Sequence, residues 1–180
     1  MSPSSAIFFD RDGTIIESEF FDGKPRAQND VKKVVFIPES IETISLASNM
    51  GFKCFVVTNQ PDVFDGIVKR ESVESVNELI MQKTKIIDVQ SCYLRSYNID
   101  SADDCMKPSP RMILHLASKW NLVLSQSWFV GDQWKDIEAG RRAGCRTILI
   151  DRFYSKQDLC DPTHKVNTIG QIIDILENDI

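Results

Sequence analysis

Two short acidic turns are the residues in this sequence best suited to chemistry, because each follows an apolar run. Asp10 and Asp12 flank one residue after the run at 6–9 and precede Gly13 and Thr14. In extended backbone, side chains two residues apart point to the same side, so the carboxylates would be held together. A divalent cation relieves their repulsion, and oxygen-only ligation favours magnesium over zinc. Taken alone, the turn fits two solvated aspartates equally well.

The second acidic turn follows the apolar run at 127–130 and carries Asp132 and Asp136. Spaced four residues apart at a helix start, these side chains can face one another, and alone they are explained most simply as helix caps. Parallel strands, however, bring their carboxyl ends to one edge of a sheet. One shared magnesium site is therefore the better account, with Asp10, Asp12, Asp132 and Asp136 as candidate ligands.

Two further residues in predicted loops could hold a phosphate group. Thr58 ends the second apolar run, and Lys107 precedes Pro108, which fixes the local backbone. A hydroxyl, backbone amides at 58–60 and an ammonium can together bind phosphate oxygens. By itself, Lys107 would be interpreted as a solvated loop lysine.

Charge then suggests a mechanism for cleaving a phosphate monoester. The dianion repels an anionic nucleophile, so magnesium and Lys107 must neutralise it before Asp10 attacks phosphorus and forms an aspartyl-phosphate. Asp12 would protonate the leaving oxygen and then activate the water that hydrolyses the intermediate.

Alternating apolar and helical stretches place these turns in an α/β protein with a parallel sheet covered by helices on both faces. Strands are predicted at residues 6–9, 53–57, 89–94, 127–130 and 147–150. Helices are predicted at residues 38–50, 70–83, from Ser109 past residue 117, at 136–143 and at 168–177. Segments 17–33, 98–106 and 153–164 are less regular.

Composition excludes several classes of protein. The 180 residues suit one domain over 1–180, and the formal net charge of −5 disfavours a nucleic-acid binder. No apolar run approaches the roughly 20 residues of a membrane helix, and no secretory signal is visible, so we expect a cytoplasmic protein. The five cysteines are expected to be reduced.

The ordered motifs resemble the haloacid dehalogenase (HAD) superfamily of phosphatases. They are Phe9-Asp10-Arg11-Asp12-Gly13-Thr14, then Val57-Thr58-Asn59-Gln60, then Lys107-Pro108, and finally Gly131-Asp132 with Asp136. The resemblance implies a Rossmann-like three-layer α/β/α sandwich with a minimal cap, and Mg²⁺ as cofactor. It also implies Asp10 as nucleophile, Asp12 as general acid/base with a metal contact through its backbone carbonyl, Thr58 and Lys107 as phosphoryl contacts, and Asp132 as a metal ligand.

Within the superfamily, Asp-Arg-Asp-Gly-Thr together with Thr-Asn-Gln resembles the branch of heptose-bisphosphate and histidinol-phosphate phosphatases. The stretch 58–63, followed by Gly66 and Arg70-Glu71, is most similar to the heptose-bisphosphatase members, which implies a small sugar phosphate as substrate. Candidate substrate contacts are Arg11, Ser18, Glu19, Phe20, Phe21, Asn59 and Gln60. We expect no nucleic-acid or membrane partner, and a monomer.

Three features depart from the pattern of that branch. Its zinc-binding loop of Cys-x-His followed by Cys-x-Cys corresponds here to Cys92, Leu94, Asp103 and Cys105, so two of four ligands are lost and no zinc is expected. Met106 replaces an arginine that recognises substrate, which puts recognition of a bisphosphate in doubt. Phe64-Asp65 replaces a small residue and another arginine.

Three other functions remain open. A histidinol-phosphate phosphatase belongs to the same branch, and a polynucleotide 3′-phosphatase shares Thr-Asn-Gln but would require a basic groove. A binding protein on an inactivated HAD fold is the third, and the retention of every catalytic residue type argues against it.

Overall fold

The computed structural model describes residues 4–95, 104–155 and 160–178. Its strands are β1 (Ala6–Phe9), β2 (Glu19–Phe21), β3 (Lys24–Arg26), β4 (Lys53–Asn59), β5 (Ile86–Cys92), β6 (Trp128–Gly131), β7 (Arg146–Ile150) and β8 (His164–Val166). Its α-helices are α1 (Ser40–Asn49), α2 (Arg70–Lys83), α3 (Arg111–Trp120), α4 (Trp134–Ala143) and α5 (Ile172–Glu177). None of these helices is long and apolar enough to cross a membrane.

In the described part of the chain, six parallel strands form one sheet in the order β5-β4-β1-β6-β7-β8. The alternation of β1 divides the core, because Ile7 and Phe9 pack with α1, α2 and α5, whereas Ala6 and Phe8 pack with α3 and α4. The predicted three-layer α/β/α architecture is thus confirmed. The short β2–β3 hairpin lies between β1 and α1, in a separate two-stranded sheet.

Most element boundaries lie within two residues of those predicted, and the exceptions have physical reasons. Strand β5 begins at Ile86 rather than residue 89, because an edge strand tolerates the polar Asp88 that interrupts its pattern. Strand β8 was not predicted, since three residues are too few to show alternation. The predicted helix at 168–177 is a 3₁₀ turn (Ile169–Gln171) followed by α5. Residues 98–103 of the predicted irregular segment, including Asp103, lie outside the described residues.

The expectation that all cysteines are reduced was wrong for two of them: Cys92 and Cys105 form a disulfide. Cys92 is paired in the sheet with Asn59, whose side chain also holds the backbone of Lys107. Since Cys105 is only two residues before Lys107, these contacts bring the two cysteines together. Neither the length nor the composition of the chain contains this information.

The three other cysteines differ in burial, and we expect their reactivity to differ for that reason. Burial raises the pKa of both Cys54 and Cys145 to about 12, whereas Cys160 is only half-buried. We expect a thiol reagent at neutral pH to label Cys160 in the native protein, and Cys54 and Cys145 only after unfolding. Mass spectrometry of labelled peptides checks this. Native labelling of Cys92 or Cys105 before reduction would contradict the disulfide.

Candidate functional site

The candidate site lies at the carboxyl ends of β4, β1 and β6. Phe9 is paired with Val56 on one side and Val130 on the other, so the turns that follow these strands meet at one edge of the sheet. They surround a cavity of about 120 Å³. Its lining residues are Asp10, Asp12, Ser18, Pro25, Arg26, Thr58, Asn59, Lys107, Asp132, Gln133 and Lys135.

Lys107 is the central cation of the site. Its Nζ lies 2.6 Å from Asp10 Oδ1 and 2.7 Å from Asp136 Oδ1, and it donates to the Val57 carbonyl at 2.8 Å. The side chain is only 1% exposed. Burial lowers the pKa of Lys107, but the carboxylates of Asp10 and Asp136 outweigh it, and the pKa is raised. Lys107 is therefore a fixed positive charge at the inner end of the cavity.

The backbone of Lys107 is held as firmly as its ammonium group. Asn59 Oδ1 accepts from Lys107 N at 3.0 Å, and Asn59 Nδ2 donates to Lys107 O at 3.2 Å. This two-way bond connects the end of β4 to the loop before α3, where the Lys107–Pro108 peptide is cis. Asn59 lines the cavity and also positions Lys107.

Three buried carboxylates converge beside this lysine. Asp10, Asp132 and Asp136 each offer a ligand oxygen, and these oxygens lie within 4.8 Å of one another. Asp132 Oδ1 is buried and has no hydrogen-bond partner. Burial, together with the negative charges of Asp10 and Asp136, raises the pKa of Asp132 well above its usual range. A buried carboxylate oxygen that has no hydrogen-bond donor, in a group whose negative charge is disfavoured by its surroundings, is suited to bind a metal cation.

Charge balance also favours a divalent cation at this cluster. Three carboxylates against one ammonium leave an excess of two negative charges. A single Mg²⁺ would neutralise them, and the all-oxygen donor set suits that ion. Asp136 is the least available of the three as a metal ligand, because Lys107 pairs with its Oδ1 and the Gln133 N–H donates to its Oδ2 at 2.9 Å. Asp10 and Asp132 are therefore the carboxylates best placed to bind the metal.

The carboxylate of Asp12 lies outside that cluster and is satisfied by other groups. Arg11 Nε donates to Oδ2 at 2.8 Å, Gln60 Nε2 donates to Oδ2 at 3.0 Å, and the Gln28 N–H donates to Oδ1 at 2.7 Å. A metal contact from Asp12 through its side chain would compete with these donors. Burial raises the pKa of Asp12 despite the Arg11 guanidinium, so this carboxyl group holds a proton more readily than an exposed aspartate does.

Gly13 allows two groups to approach the Asp10–Asp12 turn closely. Its φ is +87°, and a Cβ there would clash with the Asp132 carboxylate and lie 2.7 Å from Tyr154 Oη. Tyr154 Oη lies beside the Asp132 carboxylate at this turn, and burial together with the charge of that carboxylate raises the pKa of Tyr154. Ser155 Oγ donates to the Asp132 carbonyl at 2.5 Å, and Arg152 donates twice to the Gly13 carbonyl, at 3.2 and 3.1 Å. The loop after β7 thus braces both acidic turns.

The candidate substrate contacts fall into different places. Ser18 lines the cavity, as does Asn59. Gln60 is buried and bonds Asp12 and Thr58, while Arg11 is fully buried, its guanidinium bonded to Asn77 and the Gln28 carbonyl as well as Asp12. The remaining three lie on the hairpin outside the cavity lining: Glu19, Phe20 and Phe21.

Several lining residues escaped the sequence-based prediction: Pro25, Arg26, Gln133 and Lys135. The hairpin that carries Arg26 has a signal in the sequence, because Asp22-Gly23 is a typical hairpin turn and both residues have positive φ. Tyr154 has no comparable signal, since only the three-dimensional fold places it beside Asp132.

Comparison with known proteins identifies the family of this chain. The HAD-hydrolase-like family matches residues 104–171. The D-glycero-D-manno-heptose-1,7-bisphosphate 7-phosphatase of Chlorobaculum tepidum is 28% identical, with 96% of this chain and 94% of that protein covered. The D-glycero-beta-D-manno-heptose-1,7-bisphosphate 7-phosphatase of Rhodopseudomonas palustris is 30% identical, with 77% of this chain and 79% of that protein covered.

A solved structure matches over nearly the whole fold. The D,D-heptose 1,7-bisphosphate phosphatase from B. bronchiseptica, complexed with magnesium and phosphate, superimposes with a TM-score of 0.79 at 19% identity, covering 98% of this chain and 99% of that one. That likeness establishes the fold, and the sequence relatives establish the family. The chain therefore belongs to the HAD-like hydrolases, among the phosphatases that cleave phosphoric monoesters.

Proposed function

We propose that this protein is a Mg²⁺-dependent phosphatase that hydrolyses a small sugar phosphate through an aspartyl-phosphate on Asp10. One observation carries the proposal. Lys107 Nζ lies 2.6 Å from Asp10 and 2.7 Å from Asp136, and the cavity that Lys107 and Asp10 line is also lined by Asp12 and by Asp132, whose Oδ1 has no hydrogen-bond partner. One small cavity is therefore surrounded by a nucleophile, an acid/base group, a fixed cation and a set of oxygen ligands.

The chain's own residues divide the chemistry between them. Lys107 fixes Asp10 Oδ1 and lowers the repulsion between that carboxylate and a phosphoryl group. Asp10 attacks phosphorus, and Asp12 gives a proton to the leaving oxygen. Asp12 then takes a proton from the water that cleaves the acyl-phosphate, which restores the carboxylate of Asp10 and releases phosphate. The Thr58 hydroxyl, held by Gln60 Nε2 at 2.9 Å, faces the transferred group.

The metal would be held by Asp10 and Asp132, while Asp136, whose oxygens bind Lys107 and the Gln133 N–H, adds its negative charge to the cluster. When bound, Mg²⁺ supplies charge neutralisation of the phosphoryl oxygens and of the carboxylate cluster. The relatives named as heptose-bisphosphate 7-phosphatases support a heptose phosphate as the substrate class. The cavity itself, at about 120 Å³, is well below the roughly 300–1,000 Å³ of pockets that enclose a whole ligand, so it has room for a phosphoryl group and little more.

A substrate panel tests the proposal. Purified protein with Mg²⁺ is expected to release phosphate from heptose phosphates faster than from histidinol phosphate, nucleotides or 3′-phosphorylated oligonucleotides. Chelation of the metal should abolish release, and added Mg²⁺ should restore it. Preference for the oligonucleotide would favour the polynucleotide phosphatase instead. Absence of turnover on every ester, despite Mg²⁺ binding, would favour a binding protein.

Removal of the Tyr154 hydroxyl should weaken the binding of Mg²⁺, because Asp132 is a proposed ligand of the metal. In Tyr154→Phe the Asp132 carboxylate loses the polar hydroxyl that lies beside it and restrains its orientation, so we expect the Kd for Mg²⁺ to rise about 10-fold. Calorimetric titration with Mg²⁺ alone measures this without turnover. Tyr93→Phe is the matched control, because Tyr93 donates to Glu74 at 2.8 Å, outside the cavity lining. Equal Kd values for Tyr154→Phe and the wild type would contradict the role of Tyr154.

A further inference from the structure

The cations that line the cavity are not equally available to a substrate. Lys107 is buried and already paired with Asp10 and Asp136. Arg26 is exposed and Lys135 is half-buried, so both lie toward the outer part of the cavity. Within the described residues neither of these two makes an ion pair. The inner cation is thus already paired with the carboxylates at the inner end of the cavity, whereas the outer two remain available to another ligand group.

The two outer cations come from separate elements that converge on the cavity. Arg26 ends β3 of the hairpin, and its guanidinium lies 4.6 Å from the centre of the Phe21 ring. Stacking on a ring restrains a guanidinium while leaving its N–H edge able to bind an oxyanion in two places. Lys135 lies in the first turn of α4, directly before Asp136. Together they can approach one anionic group from two sides.

The negative charge around the cavity means that a second anionic group on a substrate could bind only next to positively charged side chains. The chain has a net charge of −5, and the inner end of the cavity is rich in carboxylates. Because the cavity holds little beyond the phosphoryl group, the remainder of a substrate must extend past its outer rim. Met106, which replaces the arginine of the related branch, is not among the lining residues. An anion on the substrate would therefore need other positive partners.

We propose that Arg26 and Lys135 determine specificity by jointly binding a second anionic group, a phosphate or a carboxylate, on the phosphate-ester substrate. This inference rests on the proposed function, because it places the cleaved phosphoryl group at Asp10 and Lys107. It assigns the recognition of the second anion to the hairpin and to α4 instead of the residue before the catalytic lysine.

Binding to the Asp10→Asn protein with Mg²⁺ present tests the inference without turnover. We expect heptose 1,7-bisphosphate to bind about 10- to 100-fold more tightly than heptose 7-phosphate, as measured by calorimetry. Adding Arg26→Met and Lys135→Met together should reduce this ratio of Kd values to about 1. Lys32→Met, which alters an exposed lysine outside the cavity lining, is the control and should preserve the ratio.

A sugar-acid phosphate distinguishes the two kinds of anion. If this compound binds more tightly than the sugar monophosphate, and the double variant loses that difference, the second anion is a carboxylate. If only the bisphosphate gives this result, the second anion is a phosphate. The inference is overturned if neither compound is favoured over the monophosphate, if nothing binds, or if the double variant keeps the ratio. A separate assay tests the proposed function: if the wild-type protein releases phosphate from none of the esters, the proposed function itself is wrong.

Discussion

Asp10→Asn should reduce phosphate release by about 10⁴-fold or more while leaving the protein folded. The amide nitrogen and oxygen of asparagine are poor nucleophiles toward phosphorus, so the first step of the reaction is lost. The substitution preserves side-chain volume and removes one of three crowded negative charges, and the fold should therefore tolerate it. Steady-state rates with a heptose phosphate, together with the melting temperature, measure both effects.

The exposed Asp174 on α5 provides the control for that experiment. Asp174→Asn makes the same chemical change at a residue outside the cavity lining and should retain full activity. Turnover that survives Asp10→Asn would remove Asp10 from the role of nucleophile. An unfolded Asp10→Asn protein would instead show that the carboxylate is needed for structure.

Lys107→Met should lower the free energy of unfolding by about 3–5 kcal/mol and abolish turnover. The ammonium is the cation between two buried carboxylates, and its removal leaves Asp10 and Asp136 repelling each other without compensation. Denaturant unfolding in the absence of divalent cations measures this cost. Phosphate release with Mg²⁺ present measures the catalytic loss.

A second substitution separates the structural role of Lys107 from its catalytic role. Adding Asp136→Asn to Lys107→Met removes one of the stranded charges, so part of the lost stability should return while activity stays absent. Lys119→Met is the control, because Lys119 pairs with Asp88 at 2.7 Å on the surface and is 52% exposed; its removal should cost less than about 1 kcal/mol. Equal costs for Lys107→Met and Lys119→Met would contradict the buried network.

The sequence predicts the fold well because its strongest patterns are local. The continuous apolar run of β1 and the amphipathic pattern of the long helix α2 can be recognised from the residues alone. Strand ends that carry Asp10, Thr58 and Asp132 must then meet in a parallel sheet. The sequence therefore predicts which turns converge. It does not specify which atoms pair with one another once they have converged.

Those pairings depend on tertiary contacts between residues far apart in the chain. Asn59 holds Lys107 across a separation of 48 residues, and Arg152 reaches the Gly13 carbonyl across 139. Arg11 is a residue for which the sequence suggested a contact that its burial does not favour. An arginine between two acidic residues suggests a substrate contact, yet its guanidinium is buried and donates to Asn77 and to the Gln28 carbonyl. The disulfide between Cys92 and Cys105 likewise depends on the contact that Asn59 makes.

Trapping the covalent intermediate tests the central claim most directly. Protein turning over a heptose phosphate with Mg²⁺ is treated with borohydride, which reduces an aspartyl-phosphate to homoserine, and the peptides are analysed by mass spectrometry. We expect homoserine at position 10 only when substrate is present, and none in Asp10→Asn. Rapid turnover without any modification of Asp10, or with the modification at another carboxylate, would contradict the account.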